Sequence, residues 1–145
     1  MAIVRAAMIQ AHANMSKEDA IKHQMGMLEE AAAKGAQIAC LQEIFYGPYF
    51  CAQEGNTDWF RTAENAETGP TVQLMQEFAK QHNMVLVVPI YEEAMQGVYY
   101  NTTVVIDADG THLGKYRKTH IPQVGPIFWE KFFFKPGNVG YPVFD

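Results

Sequence analysis

Long apolar runs, paired cysteines and an excess of positive charge are all missing from this 145-residue chain. No apolar run approaches the ~20 residues of a membrane span, and the apolar start at residues 3–9 is short and interrupted by Arg5, unlike a signal peptide. Sixteen Asp and Glu outweigh eleven Lys and Arg, and this acidic balance argues against nucleic acid or an anionic membrane as partner. Cys40 and Cys51 form no CxxC pair, so we expect a reducing, cytoplasmic compartment.

Signatures of metal, nucleotide and serine-hydrolase sites are also absent. The chain has no HxxxH or HExxH spacing, no P-loop, no GxGxxG and no GxSxG. We therefore expect neither a metal nor another cofactor. Cys40 lies in an apolar run where a thiol is inert, and Cys51 has no base near it in sequence, so both are interpreted as structural.

The apolar pattern predicts an α/β fold with a mixed sheet. Ser16 and Asp19 mark a helix start, Gly35 marks its end, and Gly69-Pro70 opens a second helix. Strands are predicted at residues 3–10, 36–41, 84–90, 99–106 and 112–116. The second and third strands are apolar throughout, which is typical of strands buried on both faces. Since two helices can cover only one face, residues 1–145 are predicted to form a single partial domain.

Glu43 and Lys118 are the strongest candidates for chemistry. Glu43 ends the second strand, the usual place for functional groups in open α/β sheets, and partial desolvation there suits a carboxylate to act as a base. The alternative is a capping or solvated loop carboxylate. Strand alternation puts Tyr116 and Lys118 on one face and Arg117 on the other, so one cation can point inward. A solvated basic surface explains the same cluster.

The long irregular segment 44–68 is rich in aromatic side chains. Loops of this kind often line binding sites. Tyr46, Tyr49 and Phe50 are therefore candidate substrate-binding residues. His120 is a further candidate for substrate binding, with a structural histidine before Ile-Pro as the alternative.

Four segments in succession resemble the nitrilase superfamily of carbon–nitrogen hydrolases. They are LQEIF at 41–45, YNTTVVIDADG at 100–110, GKYRKTHIP at 114–122 and WEKFFFKPGN at 129–138. The last of them is similar to the branch that contains β-ureidopropionase and N-carbamoylputrescine amidase. The resemblance runs through the whole chain and implies the N-terminal half of an α-β-β-α sandwich. That fold would supply the missing cover for the apolar strands.

The resemblance also implies roles for three residues. Glu43 matches the glutamate that takes the proton from a nucleophilic thiol, and Lys118 matches the lysine that stabilises the oxyanion. Glu130 matches a second glutamate that positions the lysine or the substrate. The family's cysteine lies beyond the point where this sequence stops, and neither Cys40 nor Cys51 stands at its position.

By this resemblance we expect hydrolysis of an N-carbamoyl amine or amino acid by a homo-oligomer of the complete protein. Of these substrates we expect N-carbamoyl-β-alanine first, because HIPQVG at 120–125 is closer to that branch, although WEKF at 129–132 leans toward the putrescine relative. An inert fragment or association module is one alternative, and an amidase or acyltransferase acting on unmodified amides is another. Residues 1–145 alone are predicted to be inactive and to fold poorly.

Overall fold

The computed structural model describes residues 3–12 and 14–144. Its helices are α1 (Lys17–Ala33), α2 (Pro70–His82) and α3 (Glu130–Phe133), and its strands are β1 (Ala6–Met8), β2 (Ile38–Cys40), β3 (Val85–Met95), β4 (Val98–Ile106) and β5 (His112–Arg117). Short 3-10 helices at Phe50–Ala52 and Thr57–Thr62 lie between β2 and α2. No helix in the described ranges is long and apolar enough to cross a lipid bilayer.

The five strands form one sheet in chain order, from β1 to β5. β1, β2 and β3 are parallel because α1 and α2 return the chain between them. β4 and β5 are antiparallel additions to the same sheet. The predicted α/β class and mixed sheet are confirmed.

The helix boundaries follow the sequence signals. The hydroxyl of Ser16 accepts a hydrogen bond from the main-chain N–H of Asp19 at 3.1 Å and so caps the start of α1. Gly35 follows the end of α1 with a φ of 77°, a conformation that glycine adopts without strain. Gly69 caps α2 and Pro70 takes its first position, where the missing N–H has no cost.

β3 is longer than predicted. The apolar run predicts a strand at residues 84–90, whereas β3 continues past Pro89 to Met95. The carbonyls of Val87 and Tyr91 both accept hydrogen bonds from partners outside β4. Pro89, midway between them, therefore places its missing N–H on the edge that β2 no longer pairs. The missing N–H of Pro89 faces away from β4, so the pairing of β3 with β4 continues past the proline.

The two long helices, α1 and α2, cover one face of the sheet and leave much of the other open. Right-handed crossovers through α1 and α2 put both helices on the same side, where Leu28, Val72 and Leu86 are fully buried. On the opposite side Met8 is 91% exposed and Cys40 is exposed. Within the described residues β2 is therefore covered on one face only, as expected when two helices cover the sheet, and Cys40 lies on the uncovered face. Partial burial still raises the pKa of the Cys40 thiol, as its place in an apolar run predicted. We call this second side of the sheet the open face.

Candidate active site

Glu43 lies in the segment that follows β2, next to a residue with a strained backbone conformation. Ile44, the next residue, has a φ of 52°, which is unusual for a β-branched side chain and persists only where packing enforces it. Ile44 is 2% exposed, so that packing is present. Oε1 of Glu43 accepts hydrogen bonds from Asn101 Nδ2 at 2.6 Å and Lys118 Nζ at 3.1 Å. The carboxylate is thus anchored while 49% of its side chain stays exposed.

Lys118 follows β5 and points to the open face, as strand alternation predicts. Its main-chain N–H donates to the carbonyl of Asn101 at 2.8 Å. Its Nζ lies 3.0 and 2.8 Å from the two carboxylate oxygens of Glu130, in addition to its contact with Glu43. Burial alone would lower the pKa of Lys118, but hydrogen bonds to Glu130 and Glu43 outweigh it and raise that pKa above its ordinary value. Both carboxylates therefore favour the ammonium form of Lys118.

Glu130 is brought to Lys118 by the aromatic packing of its own helix. Phe133, on the same short helix, packs against Phe50 with ring centroids 4.9 Å apart and is 2% exposed. Glu130 is equally buried, and its Oε1 accepts a hydrogen bond from the hydroxyl of Tyr49 at 2.6 Å. Burial, and then the hydrogen bond to Glu130, raise the pKa of Tyr49, which keeps the phenol protonated as a donor.

A cavity of 540 Å³ opens over these groups. Its polar wall consists of Glu43, Tyr49, Lys118 and Glu130, and its apolar wall consists of Pro122, Val124 and Phe128. Glu43 and Lys118 also border a second cavity of 210 Å³. No group of three or more His, Cys, Asp or Glu that could hold a metal ion occurs among the described residues. A concave site with a few convergent polar groups is typical of small-molecule binding.

A second ion-pair network lies behind Lys118 on the helix-covered face. Glu92, 1% exposed, accepts two hydrogen bonds from the guanidinium of Arg117, at 2.7 and 2.8 Å. Lys115 Nζ at 2.9 Å and the hydroxyl of Thr102 at 2.5 Å complete what we call the Glu92 network. Arg117 is therefore fully engaged on the opposite face from Lys118, so the alternation predicted for this segment is confirmed.

The structure separates the remaining candidate residues from the 540 Å³ cavity. Tyr46 is 2% exposed and its hydroxyl donates to the carbonyl of Tyr91 at 3.3 Å, while Phe50 is buried in the aromatic cluster. His120 is exposed and is not part of the cavity wall. Substrate contact by these three residues stays a prediction. Cys51 is fully buried, and burial raises the pKa of its thiol, which agrees with the structural interpretation.

Asn101 is a site residue that the sequence reasoning missed. It lies on β4, pairs with Tyr91 of β3 and is 6% exposed. A side-chain amide among the aromatic and β-branched residues of a strand is a signal that could have found it. The pairing of Thr102 with Arg117 places Asn101 on the same face as Lys118.

The arrangement has the parts of an acid–base hydrolytic centre. A half-exposed carboxylate can accept a proton, and an adjacent ammonium can stabilise negative charge that develops on a substrate oxygen. Glu130 binds the same ammonium, and the hydroxyl of Tyr49 holds Glu130 in place. A third group, a nucleophile, is what such a centre requires to cleave an amide-type bond.

Comparisons with known proteins bear on the family and the fold of this chain. The sequence model of a family described as carbon–nitrogen hydrolase matches residues 5–145. The chain is 48% identical over 119 residues to an N-carbamoylputrescine amidase of Arabidopsis thaliana, covering 82% of this chain and 39% of that protein. It is 39% identical over 122 residues to a β-ureidopropionase of the same plant, covering 82% of this chain and 29% of the relative.

A solved structure gives the same result. The crystal structure of a carbon–nitrogen hydrolase from Helicobacter pylori G27 matches with a TM-score of 0.86 and 34% identity, over 95% of this chain and 46% of that one. The chain belongs to the carbon–nitrogen hydrolase family. The predicted resemblance is confirmed, and the chain spans less than half the length of each of these three relatives.

Proposed function

We propose that this chain supplies the glutamate–lysine–glutamate part of a hydrolase that acts on N-carbamoyl compounds. The observation that carries the proposal is the position of Lys118 Nζ, within 3.1 Å of carboxylate oxygens from Glu43 and Glu130 at the wall of a cavity. Two of the relatives are named N-carbamoylputrescine amidase and β-ureidopropionase. The protein would act without a cofactor.

In this proposal the nucleophile is a cysteine outside residues 1–145. Glu43 takes the proton of the thiol, and the thiolate attacks the carbamoyl carbon. Lys118 donates to the oxyanion of the tetrahedral intermediate, releasing its longest contact, the 3.1 Å bond to Glu43, to do so. Glu130 keeps the ammonium charged and in place. When the tetrahedral intermediate collapses, the C–N bond to the amine breaks, and the amine leaves with the proton that Glu43 holds. Water then hydrolyses the cysteine-bound carbamoyl group to carbamic acid, which decomposes to carbon dioxide and ammonia.

The partial domain is part of the same proposal. The exposed apolar side chains of the open face, such as Met8, need a covering layer that the described residues do not provide. Residues 1–145 expressed alone should therefore lack a cooperative thermal transition. A sharp, reversible transition in the isolated chain would contradict this. We further propose that the complete protein is a cytoplasmic homo-oligomer.

The charge of the described cavity wall favours an amine substrate. Two carboxylates face one ammonium there, and the nearby guanidinium of Arg117 is already paired with Glu92 on the other face. A substrate carboxylate would find no unpaired Lys or Arg among the described wall residues, whereas a substrate ammonium would be attracted. N-carbamoyl amines are therefore our first candidate. N-carbamoyl-β-alanine is the second, favoured by HIPQVG at 120–125.

The proposal is tested with a panel of substrates on the complete protein that carries this chain. N-carbamoylputrescine, N-carbamoyl-β-alanine and an unmodified aliphatic amide are compared by ammonia release. Lys118→Ala is the matched inactive control, and it should reduce turnover at least ~100-fold, as loss of an oxyanion donor does in other hydrolases. Activity on the amide alone, or near-normal turnover by the variant, would contradict the proposal.

A further inference from the structure

Asn101 touches both principal residues of the site with two different groups. Its side-chain Nδ2 donates to Glu43 Oε1 at 2.6 Å, and its main-chain carbonyl accepts the N–H of Lys118 at 2.8 Å. Glu43 lies 58 residues before Asn101, in the segment that follows β2, and Lys118 lies 17 residues after it, next to the end of β5. Asn101 is thus the point where the two halves of the site are joined.

The contact with Glu43 is selective for one oxygen. Oε1 of Glu43 receives both donors, Asn101 Nδ2 and Lys118 Nζ. Oε2 receives no hydrogen bond from any of the described residues. Rotation about the last bond of a glutamate side chain is otherwise broad, so a half-exposed carboxylate would sample many orientations. The short bond from Asn101 removes that freedom and distinguishes the two oxygens.

A purely structural role would not require an amide at this position. Asparagine is disfavoured in strands, and a buried amide must be hydrogen-bonded to offset its desolvation. β4 places Thr103 two residues further on the same face, beside the second cavity, and its hydroxyl makes no hydrogen bond to Glu43 within the described structure. The amide at residue 101 is therefore explained by its hydrogen bond to Glu43 and not by the requirements of a β-strand.

We propose that Asn101 is a positioning residue that holds Oε1 of Glu43 and so makes Oε2 the atom that accepts the nucleophile's proton. The S–H bond breaks, an O–H bond forms at Oε2, and the electron pair stays on sulfur as thiolate. The inference rests on the proposed function, because it assigns an atom within that mechanism. Asn101 itself takes no part in bond making.

The experiment compares three variants of the complete protein on the best substrate of the panel. Asn101→Ala removes the donor, and Asn101→Asp keeps the shape but replaces the donor with a carboxylate facing Glu43. Val105→Thr is the matched control, because Val105 lies on the same face of β4 but away from both cavities. Because positioning a base affects the chemical step, kcat should fall at least ~10-fold in Asn101→Ala and further in Asn101→Asp, with KM within about threefold of wild type. Val105→Thr should keep kcat within about threefold.

Asn101→Asp decides between a donor and a packing role. If it retains wild-type kcat at pH 8, shape alone matters and the inference is overturned. A rise in KM without a fall in kcat would also overturn it, since that is the signature of a substrate contact.

A crystal structure of Asn101→Ala gives a result that needs no activity. The inference predicts that the Glu43 carboxylate leaves its single orientation against Lys118. An unchanged Oε1–Nζ contact would overturn the inference even if the wild type hydrolyses none of the panel. A wild type that is inactive while Glu43 moves would reject the proposed function and leave the positioning role supported.

Discussion

Arg117 and Lys118 are neighbours in sequence, but they pair with carboxylates on opposite faces of the sheet. Only the pair formed by Arg117 is buried, with its carboxylate fully hydrogen-bonded. The side chains of Arg117 and Glu92 are 11% and 1% exposed, and both oxygens of that carboxylate are occupied. The side chains of Lys118 and Glu43 are 30% and 49% exposed beside a 540 Å³ cavity. A saturated pair stabilises the strand that carries it, whereas an open pair keeps a proton acceptor and a cation available to a ligand.

Removal of the enclosed carboxylate should have the largest effect on stability. Glu92→Gln leaves Arg117 and Lys115 facing a neutral amide in a buried site, which typically lowers the free energy of unfolding by about 3–5 kcal/mol. Urea unfolding of the complete protein measures this. Glu43→Gln on the open face is the control and should cost less than about 1 kcal/mol, because exposed pairs contribute little. Equal losses of unfolding free energy in the two variants would show that the buried and the exposed ion pairs do not differ in their contribution to stability.

Acid sensitivity should arise from the same enclosed network. Burial alone would raise the pKa of Glu92, but hydrogen bonds from Arg117, Thr102 and Lys115 outweigh it and lower that pKa to about 2. A lowered pKa stabilises the fold above the unfolded-state value near 4.5, and this contribution is lost as the pH falls toward 2. Thr102→Val removes one donor, so its acid unfolding midpoint should move to higher pH.

Circular dichroism during acid titration checks that shift. The wild type and Thr102→Val are titrated side by side, with Thr103→Val as the control on the other face of β4. The control should unfold with the wild type. Coincident curves for all three proteins would show that the Thr102 hydroxyl does not support Glu92.

A smaller effect is expected at Tyr49, on the open face. Tyr49→Phe removes only the hydroxyl that donates to Glu130 at 2.6 Å and keeps the ring of the cavity wall. Loss of one hydrogen bond to a charged group corresponds to roughly a tenfold lower kcat, with KM nearly unchanged. Steady-state kinetics on the complete protein measures both constants. A higher KM with an unchanged kcat would instead make Tyr49 the substrate-binding residue that the sequence predicted.

Much of this architecture was predictable because its signals are local. Ser16, Gly35 and Gly69-Pro70 mark helix ends through rules that act within a few residues, and the helices lie where those rules put them. Alternation along β5 correctly separated Arg117 from Lys118. The end of β3 was missed because the effect of Pro89 depends on whether a neighbouring strand is paired there, which is not a local property.

The site divides in the same way. Glu43 was singled out from its position at a strand end, and Lys118 was one member of a basic cluster for which a solvated surface was the alternative. The family resemblance gave Lys118 its role and was the only signal for Glu130, since nothing local marks a glutamate that opens a four-residue helix. The exposure of Cys40 and the contact of Asn101 with Glu43 depend on which face of the sheet is covered and on residues 58 positions apart. Such pairings are set by the register of strands, which the apolar pattern alone does not fix.

Ammonia release by Glu43→Gln, measured on the same preparation as its thermal unfolding, tests the central claim most directly. The substitution keeps the shape of the side chain and its contact with Asn101 but removes the proton acceptor from the open face. We predict a melting temperature within about 2 °C of wild type and turnover reduced at least ~100-fold, the range expected for loss of a general base. A folded variant that releases ammonia at close to the wild-type rate would contradict the account.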